Sequence, residues 1–336
     1  MKFRDVFFDA ATVVGCCVGV GFLSGKEAQI YLGNLPNVGI FALLFFLFNL
    51  TIRKFCREQR CFGTVELFKR CLGRFAPFFS AMFCFCCFVC IVTMFAGVEN
   101  CLQRLLWQTK FPAYSFVVAI ISALILKRGL FALKILNVVA VLVSLAYFLT
   151  AFLLFDRKAS FLPVSPAQPV AYALFSVTML LGVLAPLSDS TKTKNLASTA
   201  VATAFLCALM VAVLFCADFS LEMPFLGRSN SVTLNLLGGF AVTLTVVASV
   251  VANALPITDC IASVFEDDYL CFAVLFGLAW AFSLFGFDFA LYYGYLIVAF
   301  VGLLLMVVLV TVNVKRRLAK ACKAKGISKQ RSLNPR

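Results

Sequence analysis

The chain is expected to be an all-α polytopic membrane protein of about ten transmembrane helices. They are expected to form a five-plus-five inverted repeat with helices 1 and 6 broken. Three observations carry this. The composition is 63% hydrophobic and only 13% charged, against about half apolar and a quarter charged in a soluble domain. Continuous apolar runs recur up to residue 314, each of the order of the 20 residues a spanning helix needs. The order of segment lengths also repeats on either side of the polar linker Asp156 to Pro169.

The ten helices are placed at 6–32, 37–52, 75–106, 112–127, 131–155, 167–188, 195–217, 232–264, 269–285 and 287–314. The first contains FFDAATVVGCCVGVGFLSGKEAQIYL, Phe7 to Leu32, with Gly15, Gly19 and Gly21 near its centre and Ser24 and Gly25 just after. Each glycine costs a helix interior about 1 kcal/mol. Unwound backbone is tolerated at membrane depth only where protein buries it or it lines a cavity. The segment is too long for a signal peptide and is expected to be retained.

Helix 2 precedes a long basic loop at 53–74; helix 3 is long, helix 4 short. The second half repeats this, with loop 218–231, long helix 232–264 and short helix 269–285. Five is odd, so the second half enters the membrane from the opposite side. Helix 6 should then be broken as helix 1 is. Its stretch SVTMLLGVLAPLSD holds Gly182 and Pro186, and proline removes a helical hydrogen bond. A binding site and a simple kink are both open there. Paired interruptions in two halves are a sequence pointer to a transporter site. The expected organisation is one membrane domain over 1–314, with repeats at 6–155 and 167–314, then a basic cytoplasmic tail at 315–336.

The net charge is +14, but it is dispersed over loops and the tail, so no nucleic-acid partner is expected. With the N-terminus inside, most of the 29 basic residues fall on the inner side. This predicts both termini in the cytoplasm and an even helix count. The partner is the lipid bilayer, and the tail is either simply solvated or in contact with anionic lipid. The chain has 15 Cys and no His. Cys84, Cys87 and Cys90 share a helical stripe and are read as small buried hydrophobes. No structural disulfide is expected.

The segment VGVGFLSGKEAQIYL at 18–32 resembles the first-helix signature of the YkvI-like bacterial membrane proteins, of the form G-x-G-F-x-S-G-[K/Q]-E. Those are similar to the amino acid–polyamine–cation transporter superfamily with the LeuT fold. The resemblance implies a secondary transporter in the bacterial cytoplasmic (inner) membrane, with helices 1, 3, 6 and 8 around a central site. It also implies a possible sodium ion as cofactor, held by main-chain carbonyls at Gly15 and Val18 and by helix 8. There the nearest match is Thr245 to Ser249; Ser249 keeps a hydroxyl and Ala248 lacks one. Phe22 stands where a second sodium would require Asn.

The candidate substrate-binding residues are Gly19, Gly21, Ser24, Thr178 and Gly182, and the candidate ion-binding residues are Gly15, Val18, Thr245 and Ser249. Ser176 and Thr178 either touch solute or bond back to their own helix. Asn253 is read as bridging helices. The candidate gating residues are Glu27, Glu99, Asp189 and Asp259. Charge within the membrane is costly and functional by default. Glu27, beside Lys26, is a gate, a proton carrier, a partner for a distant Arg, or an interfacial end group. Glu99 could gate with Arg104, and Asp189 and Asp259 with Lys192 or the basic first loop. Asp288 is read as favouring a helix N-terminus.

Without His the usual general base is missing. Paired carboxylates in one helix are lacking too, so an enzyme is not expected, and without a phosphate-binding loop ATP-driven pumping by this chain alone is not expected either. The functional expectation is a secondary active transporter of a small, amino acid-like organic solute, coupled to sodium or protons, working by alternating access. A half-helix N-terminus at the breaks could hold a solute carboxylate. The alternative is a non-transporting sensor or assembly protein on a transporter-derived scaffold.

Overall fold

A computed structural model describes residues 3–108, 111–154, 161–219, 221, 223–226, 231–261, 268–287 and 290–332. Lys110, Asp156, Arg157, Lys158, Arg228 and Asp288 lie outside them, as do the ends of the expected helices 5 and 8. Every regular element among the described residues is helical. The first span comprises α1 (Phe3–Cys17), α2 (Val20–Ser24) and a π-helical turn (Ala28–Leu32). α3 (Leu35–Gln59) is the second span, and a short α4 (Thr64–Leu72) follows. Spans three to five are α5 (Ala76–Leu105), α6 (Ala113–Leu126) and α7 (Gly129–Leu154). The sixth is α8 (Ala167–Met179) with α9 (Leu181–Leu187), and the seventh is α10 (Lys192–Cys216). α11 (Val232–Ile261), α12 (Asp268–Ser283) and α13 (Tyr295–Ser332) complete the ten. Six helices are individually long and apolar enough to cross a membrane, and the bent pair α8–α9 makes a seventh. α6 and most of α12 are apolar but shorter, and the first span is divided.

Local chemistry sets the ends. The Asn34 side chain caps α3 by accepting from the Asn37 N–H at 3.0 Å, with a proline in the first turn. Thr191 caps α10 through the Lys194 N–H at 3.3 Å. The first break falls at Val18 and Gly19. The Val18 N–H still reaches the Val14 carbonyl at 2.8 Å, whereas the Gly19 N–H turns to Cys17 at 3.1 Å. Gly25 ends α2 with φ +84°, a conformation glycine adopts without steric cost.

The sixth span differs in detail from expectation. It bends by 58° between α8 and α9, at Leu180, and Pro186 lies inside α9. At the bend the Val183 N–H turns to the Leu180 carbonyl at 2.9 Å, whereas Pro186 frees the carbonyl of Gly182, inside α9. The expected loop at 53–74 is also corrected. α3 continues to Gln59, and Thr64–Leu72 forms a helix that buries Leu67 and Phe68 and exposes Lys69 and Arg70. Its charges mark the wet face of an amphipathic helix. The last helix runs on past residue 314 to Ser332, through lysines, arginines and alanines that favour helix.

The packing repeats with a step of five spans. The first packs on the fifth and seventh (α1 on α7 and α10), and the sixth packs on the tenth and second (α8 on α13 and α3). The third packs on the ninth (α5 on α12) and the eighth on the fourth (α11 on α6). α5 and α11 pack together through the centre. The end of the first span is also stitched to distant segments. The Leu162 N–H donates to the Gly33 carbonyl at 2.9 Å, and Asn37 Nδ2 to the Val164 carbonyl at 3.3 Å. Gln29 Nε2 donates to the Phe219 carbonyl at 3.0 Å, and the Phe225 N–H to the Ser24 carbonyl at 3.0 Å.

Arg53, read from sequence as a loop residue, is 1% exposed. Its Nε donates to Asn49 Oδ1 at 2.9 Å. One terminal nitrogen donates to Asn195 Oδ1 at 3.2 Å and to Ser198 Oγ at 3.0 Å. It thus bolts the second span to the seventh. Arg53→Ala removes a charged donor from three buried groups, each of which keeps one other partner, and should destabilise the fold by about 1–3 kcal/mol. The check is the denaturation midpoint of the detergent-purified protein. Arg53→Lys should recover only part of the loss, because an ammonium does not reproduce the planar fork.

Candidate functional site

The two interrupted spans meet around a small closed cavity. Cys16 and Cys17, the last residues of α1, line one side, and Ser176 and Met179, in the last turn of α8, line another. Cys90 and Met94 of α5, Asn253 of α11, Phe175 and Tyr295 complete it. Its volume is about 10 Å³, roughly room for one water. No charged side chain lines it. Asn253 is 4% exposed. Its Nδ2 donates to the Ser249 carbonyl on its own helix at 2.8 Å, so it does not bridge helices as the sequence suggested. Its Oδ1 has no partner among the described residues. Three cysteines contribute to the lining, but no group of three His, Cys, Asp or Glu is placed to hold a metal among the described residues.

Beside the cavity sits a caged carboxylate. Glu27 is 2% exposed. It accepts from the Tyr295 hydroxyl at 2.7 Å and from the Tyr172 hydroxyl. Tyr31 stacks on both tyrosines, with centroids 5.5 Å and 6.0 Å away. Phe175 stacks on Tyr295 at 3.7 Å. The Lys26 ammonium lies 5.4 Å from the centre of the Phe287 ring. Glu27 is therefore an interior residue rather than an interfacial end group.

Gly21 makes room for this carboxylate, since a Cβ there would lie 2.5 Å from Glu27 Oε1. A Cβ at Gly19 would meet the Met94 methyl at 2.6 Å, and one at Gly182 the Pro256 ring at 3.0 Å. Ser24 is fully buried and donates to the Gly21 carbonyl at 3.0 Å. The Thr178 hydroxyl donates to the Leu174 carbonyl at 2.6 Å and Ser176 to the Tyr172 carbonyl at 2.8 Å, both within α8. Of the residues the sequence singled out in helix 6, Ser176 borders the cavity.

The ion-site candidates divide. Gly15 is packed against Asn137 of α7. The Thr245 hydroxyl is turned to the carbonyls of Ala241 and Val242, at 2.9 and 3.0 Å. Ser249 Oγ is buried with no partner among the described residues. Val18 is the residue at which α1 stops.

The gating candidates lie apart. Glu99 anchors the start of α6, accepting from the Ser115 N–H at 2.8 Å, the Ser115 hydroxyl at 2.9 Å and Gln103 Nε2 at 2.8 Å. Arg104 Nε donates to Asn100. Asp189 and Asp259 are exposed, and Asp259 shares a vestibule with Lys69 and Arg74. The buried ion pair is one the sequence did not single out. Asp9, 3% exposed, meets Lys194 at 2.8 Å and Lys134 at 3.7 Å, tying α1 to α10 and α7. The signal available was a lone carboxylate inside an apolar run. The tyrosines carried a similar one, since a buried hydroxyl in a span needs a partner.

No protein-family model matches the chain, and no curated protein matches it significantly. Solved structures do. One is the manganese transporter of Eremococcus coleocola, crystallised with an aromatic bis-isothiourea substituted compound. It is 14% identical, with 92% of this chain and 85% of that chain covered and a TM-score of 0.51. Another is Mhp1, a nucleobase-cation-symport-1 family transporter in a closed conformation with bromovinylhydantoin bound, 14% identical, with 92% and 74% covered and a TM-score of 0.46. The chain has the LeuT-like, all-helical fold.

Gly21→Ala should push the Glu27 carboxylate off its tyrosines and cost about 1–3 kcal/mol, as overpacking does. Gly19→Ala should cost less, because the Met94 methyl it meets is the end of a flexible side chain. Thermal unfolding of the two purified variants in the same detergent checks the order.

Proposed function

We propose that this chain is a secondary active transporter that carries a small, amino acid-like organic solute by alternating access. Its ten spans form two five-span halves of opposite orientation, a reading supported by the five-step repeat in packing. The observation that carries the proposal is the cavity at the junction of the two interrupted spans. The C-terminal ends of α1 and α8 both reach it. Carbonyls at such ends carry partial negative charge; those of Cys17 and Ser176 each accept one N–H, from Gly19 and Leu180, and a carbonyl oxygen has a second lone pair. Asn253 Oδ1 adds an unpartnered acceptor. This lining suits the amino group of the solute, so the carboxylate-holding role expected of a half-helix N-terminus is secondary. A bare metal ion as cargo is disfavoured, because no carboxylate lines the cavity.

Alternating access needs one side shut while the other opens. The Asp9–Lys134–Lys194 cluster is our candidate for the inner closure, with Asp259 and the basic residues of its vestibule beside it. The positive-inside pattern supports placing that end in the cytoplasm of a bacterial cell, and the segment 18–32 supports kinship with the YkvI-like proteins. A sodium ion held by Gly15, Val18, Thr245 and Ser249 would find few free oxygens. Thr245 is occupied and Ala248 has no hydroxyl, which leaves Ser249 as the free side-chain donor to the ion. That set fits sodium poorly.

Purified protein in lipid vesicles should accumulate a labelled amino-acid mixture when an ion gradient is imposed. Asn253→Leu removes the free acceptor and should lower uptake by roughly tenfold. If a broad panel of metabolites produces neither uptake nor thermal stabilisation, the transporter reading fails.

A further inference from the structure

Two carboxylates are buried in the described spans, and their surroundings differ. Asp9 faces the ammonium groups of Lys134 and Lys194, at 3.7 and 2.8 Å. Glu27 faces two phenol hydroxyls. A carboxylate taken out of water and bonded to neutral donors keeps both protonation states within reach. The other titratable groups that face it are Cys17 of α1, Cys90 of α5 and Tyr31. Lys26, its chain neighbour, is turned to the Phe287 ring.

The hydrogen bonding of this cage changes sense with the proton. Ionised Glu27 only accepts, so Tyr172 and Tyr295 both spend their hydroxyl protons on it. When a proton adds to one carboxylate oxygen, Glu27 gains an O–H that must be donated. A tyrosine oxygen is the acceptor at hand, and that tyrosine then turns its own O–H elsewhere. Tyr295 borders the cavity, so its freed O–H is offered to whatever occupies the cavity. No covalent bond other than the carboxyl O–H forms or breaks.

We propose that Glu27 is the binding site of the coupling proton and that Tyr295 relays its occupancy to the cavity. The carboxyl group as a proton site stands on the cage geometry alone, and its coupling to solute rests on the transporter reading above. Protonation frees a donor for the solute, so proton and solute bind cooperatively. For a solute that needs the proton bound, apparent affinity rises as pH falls, approaching tenfold per pH unit above the midpoint of Glu27.

Two measurements separate this inference from the reading it deepens. The first uses no solute. Infrared difference spectra of the full-length protein are titrated between about pH 5 and 9. A carbonyl-stretch band of a protonated carboxyl should appear as pH falls. It should vanish in Glu27→Gln, and its midpoint should shift in Tyr295→Phe, which keeps the Tyr172 bond. A Glu27→Gln spectrum identical to wild type would overturn the proton site. The second measurement imposes a pH gradient on vesicles and follows the labelled amino-acid mixture. Wild type should accumulate label, while Glu27→Gln should exchange it across the membrane without accumulating it. Accumulation by Glu27→Gln at the wild-type level, or wild-type accumulation that follows a sodium gradient and ignores pH, would overturn the coupling. Absence of any uptake would sink the transporter reading and the relay with it, while the infrared result would still decide whether Glu27 takes up a proton.

Discussion

Every peptide group inside a bilayer must find its partner within the protein, because lipid offers none. The architecture follows from that constraint. Most of the spans, over their described residues, answer it with continuous helical bonding, although Pro256 inside α11 lacks an N–H. The first and sixth depart from it, and the protein can keep them only by surrounding the departures. Six other spans, α3, α5, α7, α10, α11 and α13, pack on these two or meet at the cavity beside them. The exposed carbonyl ends of α1 and α8 are thus enclosed, and a polar interior is created without a single fixed charge in its wall.

Features that rest on run length and local chemistry were legible in the chain. The spans announce themselves by apolar length, and the first break by its clustered glycines. The sixth was harder. Gly182 and Pro186 marked the right helix, yet the bend lies at Leu180, a residue of unremarkable helical habit. Pro186 acts on the carbonyl of Gly182, two positions past the bend, so neither marker coincides with it. Charge misled in two places. Arg53 and the run through Arg70 looked like a wet loop, but Arg53 is an interior bolt and the later residues are the solvent face of a helix. Composition reports how polar a stretch is, and leaves open which side of a helix the polarity occupies.

Long-range pairing was the part that the chain hid. Glu27 meets partners 145 and 268 positions away, and no spacing rule links residues so far apart. The same holds for Asp9 with Lys134 and Lys194. What the sequence did offer was the demand for a partner, since a carboxylate or a phenol in a span is costly alone. Ser176 borders the cavity while Gly19 and Gly21 shape its surroundings, so the right helices were in view before the right side chains. Cys16 and Cys17 were overlooked as lining because small, weakly polar groups in a span usually mean close packing, and Asn253 because a buried amide was expected to bridge helices.

The four ties that hold the end of the first span share a trait. Each uses a main-chain atom on at least one partner: Gly33 with Leu162, Asn37 with Val164, Gln29 with Phe219, and Ser24 with Phe225. Peptide atoms are the same whatever side chain they carry. The connector between the two halves is therefore free to change its residues while it is held to its length. One inserted or deleted position around 161–164 would throw the Leu162 and Val164 stitches out of step, whereas many substitutions there would pass unnoticed.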